Sequence, residues 1–163
     1  MPQPRNPLAA RIVSGGQTGA DRAALDWAIG NGVAHGGWCP RGRIAEDGVL
    51  PAQYQLRESA TSDYRWRTRQ NVADSDATLI VNTGILDGGT LETVNFAQTL
   101  GKPHLIVQLD CGVGDEEVQQ LLEWLQRVSP DALNVAGPRE SKRPGIYALT
   151  FELLDCAANA GRR

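Results

Sequence analysis

The chain has 163 residues, 41% of them hydrophobic and 21% charged, enough for one core of ordinary size. Its formal net charge of −3 argues against a general nucleic-acid or membrane-surface binder. Three widely spaced cysteines without a CxxC pair argue against a disulfide framework or a zinc site, and fit a reducing cytoplasm.

Residues 1–10 read as a flexible arm with three prolines and no signal-peptide core; residues 11–163 read as one domain. A short strand, Arg11-Ile12-Val13, runs into Ser14-Gly15-Gly16-Gln17-Thr18-Gly19-Ala20-Asp21, and a helical pattern continues to Ile29. Strand, glycine turn and helix in that order bring free backbone N–H groups and a positive helix end to one point, a phosphate-type anion site. Ser14, Gly16 and Gly19 stand at the three glycine positions of the dinucleotide fingerprint, the first as serine. No Gly-Lys-Ser/Thr follows, which excludes a Walker A loop. A sharp turn with glycines only for close packing is the plainer alternative.

A second short strand is expected over His35 to Cys39, followed by an irregular stretch from Arg41 to about Ser62. A loop of that length is a lid, a binding loop or a surface excursion. Asp63 to Ala73 has helical spacing, with Tyr64, Arg67, Thr68 and Asn71 on one face. Ala77 to Val81 is a buried strand. A second glycine turn ends in Asp87-Gly88-Gly89-Thr90, and a helix runs from Thr90 to Leu100, closed by Gly101-Lys102-Pro103. His104 to Leu109 is a near-continuous apolar run of the kind found in central parallel strands. Glu116 to Val128 is an amphipathic helix with Val118, Leu121, Leu122 and Leu125 on its apolar side. Ala132 to Ala136 is a fifth strand, and Gly137 to Ser141 turns into a last helix over Gly145 to Ala158.

Strands alternating with helices define an α/β fold: one Rossmann-like domain, a mostly parallel sheet of five to six strands, and helices on both faces. Right-handed crossovers place every strand-to-helix turn along one edge, so Gly15-Gly16 and Gly88-Gly89 face a common crevice. No apolar run approaches membrane-spanning length.

Charge is unevenly placed. Six of the 14 arginines fall between Arg41 and Arg69, which points to a specific anionic ligand. Cys39-Pro40-Arg41-Gly42-Arg43 stands where a dehydrogenase needs an acid for the ribose hydroxyls, so NAD is disfavoured and an extra phosphate favoured. His35 and His104 begin strands, at the edge away from the crevice, and read as structural. The carboxylates within reach are Asp21, Glu46, Asp47, Asp87 and Glu92, and no pair among them has a spacing that compels acid–base work. Trp27, Trp38, Trp66 and Trp124 are either interface anchors or core.

Taken together, Gly15-Gly16-Gln17-Thr18-Gly19-Ala20-Asp21-Arg22, Cys39-Pro40-Arg41-Gly42-Arg43, Ala45-Glu46-Asp47-Gly48, Arg67-Thr68 with Asn71-Val72, Ser75-Asp76 and Gly88-Gly89-Thr90 resemble the putative molybdenum carrier family. That family lies in the SLOG group of Rossmann-like proteins, and the match runs from about Arg11 to Lys102 in register. The resemblance implies binding and protection of molybdenum cofactor, a phosphorylated pterin that holds molybdenum through its dithiolene. It also implies molybdoenzymes as recipients and a homodimer or homotetramer. Ligand-binding positions on this reading are Gly15, Gly16, Gln17, Thr18, Gly19, Asp21, Arg41, Arg43, Arg67, Thr68, Asn71, Gly88, Gly89 and Thr90, with no protein ligand to the metal.

The same superfamily includes phosphoribohydrolases with a Gly-Gly-x-Gly-Thr-x-x-Glu turn whose glutamate acts on the ribose. Here Thr93 falls at the glutamate position and Glu92 one residue early, a rotation of about 100° along a helix. That departure favours a non-catalytic binder. A nucleoside-monophosphate hydrolase using Glu92 and Arg67, and a sensor of a nucleotide-derived ligand, remain the alternatives.

Overall fold

A computed structural model describes residues 7–160. In chain order the elements are β1 (Arg11–Val13), α1 (Ala20–Gly30), β2 (Ala34–Gly36), β3 (Trp38–Cys39), β4 (Ile44–Ala45), β5 (Gly48–Val49), β6 (Arg57–Glu58), α2 (Tyr64–Ala73), β7 (Ala77–Asn82), α3 (Gly88–Thr99), β8 (His104–Gln108), α4 (Asp115–Val128), β9 (Ala132–Ala136) and α5 (Ile146–Asn159). Five strands form one all-parallel sheet in the order β2-β1-β9-β7-β8. Helices α1, α4 and α5 pack together on one face, and α2 with α3 covers the other. The expected α/β domain is the observed one.

The core follows from burial on both faces of the middle strands. Every residue of β7 is buried, and Leu133, Asn134 and Val135 of β9 are buried as well. Leu79, Val81, Leu133 and Val135 meet Trp27 of α1, Leu121 of α4, and Leu153 and Leu154 of α5. Each such side chain contributes about 1.5–3 kcal/mol on leaving water. Trp27 and Trp124 belong to this core, whereas Trp66 is 41% exposed and packs edge-on to Trp38.

Helix ends are set by local chemistry. Asp63 caps α2 by accepting from the Arg65 N–H at 2.9 Å. Glu117 reaches back to the Gly114 N–H at 3.0 Å, and three acids in the first turn of α4 suit its dipole.

Four sequence expectations need correction. The apolar run at β8 lies at the sheet's edge, half-buried, and owes its composition to α4 packed on it; the central place belongs to β9. The single strand expected over His35 to Cys39 is two strands in different sheets. It breaks at Gly37, whose φ of 131° and 2.2 Å approach of a virtual Cβ to the Ser14 carbonyl oxygen suit glycine alone. The stretch after Pro40 is not wholly irregular, since β4 and β5 form a small antiparallel hairpin and β6 pairs with β3. Of the expected N-terminal arm, residues 1–6 lie outside those described, while Leu8 and Ala9 are buried in the core.

Candidate functional site

Because the sheet is parallel, β1, β7 and β9 deliver their following loops to one edge. The order β1-β9-β7 sets the loop after β9 between the two glycine turns. A cleft of about 270 Å³ opens there. Its walls are Gly15, Gln17 and Asp21 from the first turn, Tyr64, Arg67, Thr68 and Asn71 from α2, and Gly89, Thr90, Glu92 and Thr93 from α3. The floor and far bank are Asn134, Ala136, Gly137, Pro138, Arg139 and Lys142.

Helix α2 is the unusual wall. Helices normally bury aliphatic stripes, but this one buries Arg67, Asn71 and Val72. Asn71 ties it down: its side-chain oxygen accepts from the Trp38 N–H at 2.8 Å and its amide donates to the Trp38 carbonyl at 3.1 Å. Thr68 donates to the Tyr64 carbonyl at 2.8 Å. Arg67 is only 8% exposed. Its Nη1 meets Asp21 Oδ2 at a loose 3.4 Å, its guanidinium carbon lies 5.4 Å from the Tyr64 ring centre, and its buried Nε has no hydrogen-bond partner. A guanidinium at a cleft wall whose carboxylate contact is loose and whose Nε lacks an acceptor has hydrogen-bonding capacity to spare.

Asp21 is buried beside it. Burial raises its carboxyl above the ordinary carboxylate range, and Arg67, the Gln17 N–H and Arg22 only partly offset that. The first turn of α3 adds a positive helix end, for Asp87 is its N-cap residue and makes no side-chain cap bond. Asp87 instead holds Lys142 at 2.6 Å, with Arg143 at 3.7 Å.

The structure therefore gathers Gly15, Gln17, Asp21, Arg67, Thr68, Asn71, Gly89 and Thr90 in one cleft. Gly16, Thr18, Gly19, Arg41, Arg43 and Gly88 do not line it. The Arg43 guanidinium donates to the carbonyls of Leu50, Pro51, Tyr54 and Leu56, which organises its own loop. Arg41 is exposed, and its N–H pairs with the Thr61 carbonyl. The hairpin braces the glycine turn from outside: Gln17 accepts from the Glu46 N–H, and Glu46 accepts from Thr18, from the Ser141 N–H at 3.2 Å and from the Ser141 hydroxyl at 2.6 Å. Burial alone would push the Glu46 carboxyl up, but those bonds and Arg139 hold it below its ordinary value.

Glu92 sits at the cleft mouth with Arg65 at 2.6 Å, and Thr93 lies deeper, buried, donating to the Gly89 carbonyl at 3.0 Å. Neither His35 nor His104 lines the cleft. Asn134, Arg139 and Lys142 escaped the sequence reading. The Gly-Pro-Arg turn after a strand was visible, but β9's place between β1 and β7 was not.

This arrangement, a parallel sheet with an arginine-lined cleft at its carboxyl edge, is that of a Rossmann-like domain. Residues 12–158 match the profile of the circularly permutated YpsA SLOG family, and the chain belongs to that family. It is also similar to a crystal structure of a putative molybdenum carrier protein from Syntrophus aciditrophicus SB. The two are 48% identical with a TM-score of 0.89, over 93% of this chain and 96% of that one. No curated protein matches the chain. Among the described residues, no helix is long and apolar enough to cross a membrane.

Proposed function

We propose that this chain binds molybdenum cofactor in the cleft and carries it as cargo, protecting it from solvent, without chemistry of its own. The observation that supports this most is Arg67, whose buried Nε stands unpartnered at the cleft wall. A phosphate monoester in the cleft offers the Arg67 guanidinium a better acceptor than its loose 3.4 Å contact with Asp21, and a charge-assisted bond is about twice as strong as a neutral one. Arg139, Lys142 and the first turn of α3 add positive potential around the same space.

The remaining lining suits a flat, hydrogen-bonding ring system. Tyr64 offers an aromatic face at the rim, while Asn134 and Thr90 offer polar groups within. Among the described residues, no group of three or more His, Cys, Asp or Glu could hold a metal ion. The name of the structural relative, a putative molybdenum carrier protein, supports the same reading.

The test is purification from molybdenum-supplied cells, followed by metal analysis and fluorescence of the oxidised pterin. Molybdenum and pterin should co-purify in matching amounts, and both should be depleted in Arg67→Gln. Protein free of both, alongside cells that hold the cofactor, would overturn the proposal.

One observation favours a second reading. Glu92 does line the cleft, so hydrolysis of the N-glycosidic bond of a nucleoside 5′-monophosphate has a candidate carboxylate. Its engagement with Arg65 at the mouth, and Thr93 in the deeper position, favour the carrier.

A further inference from the structure

Asp21 is the carboxylate that meets the buried Arg67 guanidinium on the cleft wall. Asp21 and Arg67 each keep only 10% of their side-chain surface exposed, and their closest approach is 3.4 Å. That is longer than a good charge-assisted bond, which runs at about 2.7–2.9 Å. Arg67 Nε, on the same guanidinium, is unpartnered and buried. Arg67 and Asp21 line the same cleft, so an anion that reaches this guanidinium from the cleft competes with the Asp21 carboxylate for it, with water largely absent. Like charges so placed do not both stay ionised.

We infer that anion capture in this cleft is coupled to proton uptake by Asp21, so that the ligand enters as an anion plus one proton from solvent. This inference rests on the reading of the cleft as an anion site. On binding, the Asp21 carboxylate gains the proton and becomes a neutral carboxylic acid. Arg67 then directs its charge to the ligand instead of to Asp21. On release the proton returns to solvent, Asp21 ionises, and the Arg67 pair re-forms.

The groups facing Asp21 make it the proton's destination. Arg67 of α2 and the Gln17 N–H of the glycine turn stabilise its ionised form. Arg22 of α1 adds positive charge, but its guanidinium is already committed to Asp47 and to the Gly16 carbonyl. Across the cleft stand Arg139 and Lys142 after β9 and Glu92 on α3, with Arg139 engaged by Glu46, Lys142 by Asp87 and Glu92 by Arg65. Once a ligand draws Arg67 away, burial of Asp21 outweighs what remains. The consequence is functional: cargo is held more tightly at lower pH and loosened as pH rises. A partner that restores the Asp21–Arg67 pair would likewise promote release.

Sulfate is the probe of choice, because it is a tetrahedral dianion that does not itself titrate near neutral pH. The full chain is titrated calorimetrically between about pH 5 and pH 8 at constant ionic strength, in buffers of different ionisation enthalpy. Expected are a buffer-dependent heat that reports net proton uptake, and an affinity that falls with rising pH towards a limit of about tenfold per unit. In Asp21→Asn the proton uptake should vanish and the pH profile flatten. Sulfate binding without proton uptake in the wild-type chain would overturn the coupling and leave the anion site standing. No sulfate binding across the range would overturn the anion site itself.

Discussion

A Cβ placed on Gly15 would lie 1.5 Å from Nη1 and 2.7 Å from Cζ of Arg67. The glycine turn and the arginine of α2 thus occupy one space, although they are 52 positions apart in the sequence. Glycine at 15 admits the guanidinium, and through it the link to Asp21. A glycine-rich turn next to a phosphate site is usually explained by backbone approach to the ligand. Here the closest neighbour of Gly15 is the protein's own cation.

Gly15→Ala should therefore displace Arg67. Overpacking of this kind costs about 1–3 kcal/mol of stability. The affinity for a phosphorylated pterin should fall as well, measured by titration at a temperature where urea unfolding shows the variant folded. Unchanged affinity in a folded Gly15→Ala would separate Arg67 from the ligand.

Arg67→Gln should weaken binding by about 1.5–3 kcal/mol, the range for hydrogen bonds to charged groups. Arg67→Lys should not restore it, because an ammonium has neither the planar fork nor the Nε donor. Equilibrium titration of the two variants checks both statements. Full affinity in Arg67→Lys would show that point charge alone suffices.

The hairpin latch at Glu46 should be acid-sensitive. Its carboxyl is held below the ordinary value of 4.5 in the fold. The stabilisation is therefore complete above that pH and is lost as pH falls through the lowered folded value. The protection of the Glu46 and Ser141 amides against hydrogen exchange, relative to the intrinsic rate at each pH, should drop in that window. Glu46→Gln should lower it at neutral pH too, with a stability loss of about 1 kcal/mol. Protection insensitive to both changes would remove Glu46 as the brace.

Much of the fold was legible because periodicity and glycine turns are local signals. The all-buried β7 and the apolar side of α4 are legible from spacing, whereas Ile29, which continues the α1 pattern, is 40% exposed. Strand order was not, since nothing local marks β9 as central and β8 as an edge. The site was legible to the same depth. The Tyr64, Arg67, Thr68 and Asn71 face was visible at helical spacing and does line the cleft. Arg41 and Arg43 were attractive by count alone, yet Arg43 is committed to four carbonyls of its own loop. Whether an arginine is free or engaged depends on tertiary partners, which composition does not carry.

Glu92→Gln offers the contrast between carrying and cutting. A carrier needs no carboxylate at the mouth, so the variant should keep its affinity for the pterin within a few-fold. The wild-type chain should release no free base from nucleoside 5′-monophosphates, as followed by chromatography. Steady base release that disappears in Glu92→Gln would make the protein a hydrolase.

The most direct measurement is titration of freshly released molybdenum cofactor into the full chain, with the cofactor's survival in air followed in parallel. Expected are saturable binding and a lengthened cofactor lifetime, both weakened in Arg67→Gln by about 1.5–3 kcal/mol, roughly 10- to 160-fold in affinity. A wild-type chain that neither binds the fresh cofactor nor prolongs its lifetime would contradict the carrier function.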